Sequence, residues 1–373
     1  MTTRRAPKVG LVLGAGGITG IAWLAGAVRA VREQTGWDPA TADVICGTSA
    51  GAVVATVLAA GQDPNDLLTY AEDPPALAEA IAAATATRPA DGIAVPWPGS
   101  LGLAASGLVT RDPRRRLASL SGLLPRGMRS GDEIRGLTHT AAQGAAWPRR
   151  QQLWLHAWDV RAGRLVTFGR EDQPEAEIAD AVVASCAVPG YYRPVTIGGR
   201  RYVDGGVRSL TNADRLLDQG CDVVVILSPF SSTQRGALID TAIFGVARTA
   251  TAARTAREAR LLRSAGATVS VMGPTPADIR VMGLNPMERR HSRAVRDSAL
   301  ASVAARAPDL ELVASRPPRC AGPCGVGGRF WPRSSLSTRS PAWSPRSRAC
   351  NGCLVADECW RAAAPTGRSE HAP

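Results

Sequence analysis

Short apolar runs, glycine turns and small-residue helical stretches follow one another from the start of this chain. Val9 to Leu13 has the length of a buried strand, Gly14 to Gly20 reads as a turn, and Ile21 to Arg32 as a helix of small and apolar residues. The same unit repeats at once. Ala42 to Cys46 is a second strand, Gly47 to Gly51 a tight turn, and Ala52 to Ala60 a helix that stops at Gly61, with Pro64 beyond it. Strands alternating with helices predict an α/β fold around a buried, mostly parallel sheet.

Between Pro74 and Pro148 no clean period survives. That stretch is rich in Ala, Pro and Gly, carries Arg114, Arg115 and Arg116, and reads as a variable cap over the sheet. Regular signals return with two strands, Leu153 to Asp159 and Leu165 to Phe168, joined through Arg161, Ala162 and Gly163. A hairpin follows, Pro194 to Ile197 and Arg200 to Val203, turning at Gly198 and Gly199. Cys221 to Leu227 is a continuous apolar run, the mark of a central parallel strand. Helical patterns cover Ala237 to Ser264 and Glu288 to Ala305, with a strand at Thr268 to Met272 between them.

Composition changes this picture mainly at the far end. With 373 residues, 45% of them hydrophobic and 20% charged, the chain suits one large domain or two small ones. The net charge is +12, but the 44 basic residues are Arg except for Lys8, and nine of them fall between Arg316 and Pro373 against three acidic residues. What remains is too thinly spread for a nucleic-acid footprint. Cysteine divides the chain at the same place. Cys46, Cys186 and Cys221 sit singly in apolar surroundings and read as reduced core thiols, while Cys320, Cys324, Cys350, Cys353 and Cys359 crowd the tail. The tail spacing is irregular and lacks paired histidines, so no metal centre is expected. The chain is expected to divide into a body at 1–315 and an irregular tail at 316–373, whose Arg, Pro, Ser, Trp and Cys bias is that of a GC-rich gene read in another frame. The uncharged run Val9 to Val28 follows three basic residues, but six glycines interrupt it. Strand, turn and helix explain it better than a leader or a membrane span, and the cytoplasm is the expected compartment.

Three segments can carry chemistry. Gly47-Thr48-Ser49-Ala50-Gly51 fits the G-x-S-x-G elbow, in which a sharp strand-to-helix turn exposes a strained serine hydroxyl beside a helix N-terminus. The bland alternative is an ordinary strand-to-helix turn. The second segment is Asp204, which ends a strand before Gly205 and Gly206; those glycines would allow its backbone an unusual turn, and the carboxylate can act as a base. Asp-Gly-Gly is also common turn chemistry. Among the histidines, His156 alternates with apolar residues as a satisfied core side chain would, His291 lies in a charged helical run, and His371 is in the tail. The order Ser49, Asp204, His291 formally allows a conventional triad. The third segment, Gly14-Ala15-Gly16-Gly17-Ile18-Thr19-Gly20, offers backbone N–H groups to an anion. It misses the dinucleotide spacing G-x-G-x-x-G by one residue in either register and lacks the G-K-[ST] of a phosphate-binding loop, so no cofactor is expected.

Together these segments resemble the patatin-like phospholipase family, which combines a glycine-rich oxyanion loop, a G-x-S-x-G turn and a later D-G-[GA]. Ala181 to Pro189 leading through Pro194 to Gly206, the hairpin from Trp154 to Phe168, and Gly283-Leu284-Asn285-Pro286-Met287 are similar to further family elements, so the likeness runs from Val9 to Ala305. The resemblance implies a three-layer α/β fold with helices on both faces of a central sheet. It further implies that Ser49 is the nucleophile, Asp204 its base, and Gly16, Gly17 and Ala50 the oxyanion donors, with no histidine and no metal. The implied activity is a serine lipid acyl hydrolase of phospholipase A or lysophospholipase type, meeting its lipid ester in transient contact with a membrane surface. Two positions depart from the family pattern: Thr19 stands where Arg or Lys is usual, and Ala15 where glycine is usual. Both motivate a second reading, a catalytically silent relative that binds lipid or a protein partner.

Overall fold

Every residue of β1 (Val9–Leu13) is buried, and its side chains divide between two apolar layers. Val9, Leu11 and Leu13 face one layer and Val12 the other. The strand β7 (Val223–Leu227) divides in the same way: Val223, Val225 and Leu227 to the first layer, Val224 and Ile226 to the second. Period-two alternation with apolar residues on both faces is what a sheet covered on both sides requires.

The computed structural model describes residues 6–72, 127, 129–144, 146–148, 151–232 and 245–307, together with positions 75, 78, 79, 81 and 82. Most of the expected cap and all of the expected tail at 316–373 lie outside the described residues, as does the stretch 237–244 of the expected late helix.

The remaining strands are β2 (Val44–Gly47), β3 (Gln152–Asp159), β4 (Arg164–Phe168), β5 (Val195–Ile197), β6 (Arg200–Asp204) and β8 (Thr268–Met272). Among the described residues they form one eight-stranded sheet in the order β5-β6-β3-β2-β1-β7-β8, with β4 paired to β3. The pairs from β3 through β2, β1 and β7 to β8 are parallel, whereas β4 and β6 run antiparallel to β3 and β5 antiparallel to β6.

Helices cover both faces. The first layer receives α1 (Gly17–Thr35), α2 (Ala50–Ala59), α3 (Asp66–Glu72), α4 (Asp132–Ala141), α5 (Ile178–Ser185) and, later in the chain, α7 (Pro276–Met282) and α8 (Ser292–Ala304). The second layer is closed by α6 (Gly245–Ser264), through Ala259 and Leu262, and by a 3-10 turn over Ala213–Gln219, through Leu216. Helix α8 comes close enough to α1 that a Cβ on Gly26 would lie 2.2 Å from the Arg296 carbonyl oxygen, so only glycine fits there. This is the three-layer arrangement expected from the sequence. Among the described residues no helix is long and apolar enough to cross a membrane, and Cys46, Cys186 and Cys221 are buried and free.

Two expectations are corrected. The first helix starts at Gly17, not Ile21, so the second half of the presumed turn is the helix's first turn. Glycine there marks close packing: Gly20 faces Pro229 and the Ala50 Cβ, and a helix can keep such residues when its stability comes from tertiary contacts. The late helix opens at Ser292, not Glu288, and α7 precedes it behind a capping box in which Thr275 and Asp278 satisfy each other's backbone N–H groups.

Candidate active site

The topology brings two strand ends together. Asp159 of β3 pairs with Arg164 on one side and Tyr202 on the other, and Leu155 pairs with Phe168 on one side and Gly47 on the other. Strands β2 and β6 therefore lie along the same edge of β3 and run toward each other. Gly47 stands opposite Leu155 and Asp204 opposite Ala157, so the turns that leave β2 and β6 emerge side by side although Ser49 and Asp204 are far apart in sequence.

The turn after β2 has the geometry of a nucleophile elbow. Ser49 has φ 54° and ψ −120°, a conformation that disfavours any residue with a Cβ. The flanking glycines are set by close approach: a Cβ on Gly51 would lie 1.9 Å from the Leu13 carbonyl oxygen, and one on Gly47 2.6 Å from Ala52 Cα. The strained serine is held from outside the turn. Its N–H donates to Ser185 Oγ at 3.0 Å, and that hydroxyl donates to the His156 carbonyl oxygen at 2.7 Å, tying the elbow through α5 to β3. A second brace comes from Asn212, whose amide donates to Thr48 Oγ1 at 3.2 Å and to the Gly205 carbonyl oxygen at 3.4 Å.

Asp204 is almost fully buried, and its N–H donates to the Ala187 carbonyl oxygen at 2.9 Å. One carboxylate oxygen accepts the Gly206 N–H at 2.6 Å. Burial pushes its pKa up to about 6, opposed by the Gly206 N–H and by the neighbouring Ser49 hydroxyl. The two glycines after it do not act as expected. Neither Gly205 nor Gly206 has positive φ; they form a 3-10 turn, and a Cβ on Gly205 would lie 2.5 Å from the His156 carbonyl oxygen. Proximity to β3, not an unusual backbone, demands glycine here.

The glycine turn 14–20 contributes N–H groups. Those of Gly14 and Ala15 are already used, donating to the carbonyl oxygens of Leu227 and Leu210 at 2.9 and 2.8 Å. The N–H groups of Gly16 and Gly17, at the start of α1, and of Ala50, at the start of α2, have no acceptor among the described residues. Two helix N-termini thus face the elbow region with unspent donors, the condition for stabilising a developing oxyanion. Thr19 points elsewhere: its N–H and hydroxyl both donate to the Pro286 carbonyl oxygen, at 3.1 and 3.5 Å.

Among the described residues no histidine bonds to Ser49 or Asp204. His156 is buried in β3 with Nδ1 3.2 Å from Thr167 Oγ1, and its Nε2 lacks a partner, so it is only half satisfied. Burial, aided by Arg215, lowers its pKa to about 3. His291 is exposed at the start of α8, His139 ends α4, and His371 lies outside the described residues. No group of three or more His, Cys, Asp or Glu among the described residues is placed to hold a metal ion.

Sequence reasoning passed over Ser185 and Asn212 as functional positions. Replacing Ser185 by Ala is expected to leave the Ser49 N–H and the His156 carbonyl without partners, lowering unfolding free energy by about 2 kcal/mol. The loosened elbow is expected to lower kcat more than it changes KM. Urea denaturation and steady-state kinetics measure the two effects.

A family model for patatin-like phospholipase matches residues 11–217. Among solved structures, VipD from Legionella pneumophila aligns with TM-score 0.38 and 15% identity over 82% of this chain and 68% of that one. The type III effector ExoU aligns with TM-score 0.34 and 18% identity, over 82% of this chain and 54% of that one. Full-length ExoU in complex with SpcU, from Pseudomonas aeruginosa, aligns with TM-score 0.27 and 18% identity, over 82% and 60%. The chain therefore spans only a little over half the length of ExoU as represented in the second of these structures.

Proposed function

The chain belongs to the patatin-like phospholipase family, a family of lipid hydrolases, and from that premise we propose that it is a serine lipid acyl hydrolase working through Ser49 and Asp204 without a histidine. The observation that carries this reading is the convergence of the strained Ser49 turn with a buried carboxylate on the same edge of β3, the carboxylate's pKa being raised to about 6, close to a physiological operating pH.

In the proposed reaction Ser49 Oγ attacks the ester carbonyl carbon while its proton passes to Asp204. The N–H groups of Gly16, Gly17 and Ala50 receive the oxyanion. Collapse breaks the bond to the alcohol, which leaves with the proton from Asp204, and the acyl group stays on Ser49. Water then attacks the acyl-enzyme, giving its proton to Asp204; the fatty acid departs and the proton returns to Ser49. The lipid ester is presented by a membrane surface that the protein contacts transiently.

A fluorophosphonate probe tests the reading directly. Stoichiometric labelling is expected, with the adduct on the peptide that contains Ser49, and micellar phospholipid is expected to protect against it. An unlabelled protein that still binds phospholipid vesicles would instead make this a lipid-binding relative.

A further inference from the structure

One loop, Ser209 to Ala213, touches all three segments of the proposed site. The Leu210 carbonyl accepts the Ala15 N–H of the glycine turn at 2.8 Å. The Asn212 amide reaches the other two, donating to Thr48 Oγ1 of the elbow and to the carbonyl of Gly205, the residue after Asp204. Asn212 is buried and left-handed, with φ 49° and ψ 31°. Its Oδ1 accepts from Arg208 Nη1 at 2.9 Å, so both ends of the amide are committed.

That commitment leaves a helix end open. Asn212 stands immediately before the 3-10 turn Ala213–Gln219, the position from which an asparagine side chain ordinarily caps the free N–H groups, and it makes no such bond. A carboxylate from another helix takes its place. Glu258 of α6 is buried, and its Oε2 accepts the Ala213 N–H at 2.9 Å and the Thr211 hydroxyl at 2.6 Å, on either side of Asn212. Its Oε1 accepts from Arg254 Nε at 3.0 Å, which balances the buried charge. Without the carboxylate, the Ala213 N–H and the Thr211 hydroxyl lose a partner in the protein interior. The oxygen in the capping position is then that of Asn212, and turning it toward the helix end takes the amide off Thr48.

Resting on the acyl-hydrolase reading, we propose that Glu258 is a positioning residue: by capping the 3-10 turn in place of Asn212, it frees the Asn212 amide to hold the elbow and the Asp204 segment together.

The test is steady-state hydrolysis of p-nitrophenyl butyrate, at a temperature where circular dichroism shows each variant folded. Glu258→Leu removes both acceptors and is expected to lower kcat about tenfold with KM changed by less than about twofold, because the loop aligns the nucleophile and not the substrate. Glu258→Gln keeps an oxygen that can take the place of Oε2, and is expected to recover most of the loss. Thr211→Val removes one donor and leaves the Ala213 and Arg254 bonds; a loss of about threefold in kcat is expected, and this variant stands in if Glu258→Leu does not fold. Leu262→Ala opens a cavity under the same helix and is expected to lower the melting temperature while keeping kcat. Asn212→Gly tolerates the left-handed backbone and removes the amide, so in that background Glu258→Leu, or Thr211→Val in its stead, is expected to cost little further. Unchanged kcat in the Glu258→Leu or stand-in variant, an equal loss in Leu262→Ala, or an undiminished further loss in the Asn212→Gly background each overturns the proposal and leaves the hydrolase reading standing. A wild type that neither cleaves the ester nor takes the fluorophosphonate overturns both.

Discussion

Ser49→Gly is expected to abolish ester hydrolysis and to raise the melting temperature in the same protein. The loss follows from removing the proposed nucleophile and is expected to reach at least about 10⁴-fold in kcat for p-nitrophenyl butyrate. The gain follows from the backbone. At φ 54° and ψ −120° a Cβ costs about 1 to 3 kcal/mol, which glycine does not incur. Glycine's extra freedom in the unfolded chain offsets part of that, leaving about 1 kcal/mol, or roughly 2 °C in a domain of this size. Ser49→Ala separates the two effects, because it removes the hydroxyl and keeps the Cβ: equal loss of activity is expected with no comparable rise in melting temperature. If Ser49→Ala kept more than a few per cent of wild-type turnover, the nucleophile would lie elsewhere. Equal melting temperatures for the glycine and alanine variants would mean that the elbow stores no strain.

Asp204→Asn is expected to produce the second large effect, a loss of about 10³-fold in kcat with a gain in stability that depends on pH. Asp204 in the folded protein has a pKa of about 6 against an ordinary value of 3.8, so between these values the folded state holds a proton that the unfolded state has released. Its contribution to stability is complete below about pH 4 and falls as the pH rises through 6. Above that, the buried carboxylate costs on the order of 3 kcal/mol. Asparagine keeps an oxygen for the Gly206 N–H and carries no charge. The variant should therefore match wild type near pH 4 and unfold at higher urea concentration near pH 7.5. Wild-type kcat/KM should lose activity below about pH 6 along a limb of unit slope, because the base must be ionised. A destabilised Asn variant at neutral pH, or a pH profile flat from 5 to 8, would show that Asp204 is not a buried base. These two substitutions also bear on each other. Removing the Ser49 hydroxyl takes away a neighbouring polar group that favours the ionised form, so the Asp204 pKa should rise further in Ser49→Ala.

What could be read from the sequence was whatever depends on neighbours in the chain. The strand–turn–helix units around Gly14 and Gly47, the two-sided burial of β1 and β7, and the elbow itself rest on spacing and local sterics, and they appear in the folded protein, the first helix opening one turn earlier than the pattern put it. The resemblance favoured Asp204 as the base, which the tripeptide alone left open between a base and turn chemistry. Tertiary structure decided the rest. Only the shared edge of β3 brings the end of β6 to the end of β2, because strand pairing depends on register between segments far apart in the chain. Ser185 and Asn212 carried no signal because a hydroxyl or an amide acquires its role from what it faces after folding, here the Ser49 N–H and Thr48 Oγ1. Gly205 was legible as a glycine but not for its reason, since the contact that excludes a Cβ is the His156 carbonyl on another strand. The sequence by itself determined the local backbone that strains Ser49 and the apolar layers that cover the sheet. The desolvation that raises Asp204 and the donors left unspent at two helix starts exist only once distant segments exclude water from one another.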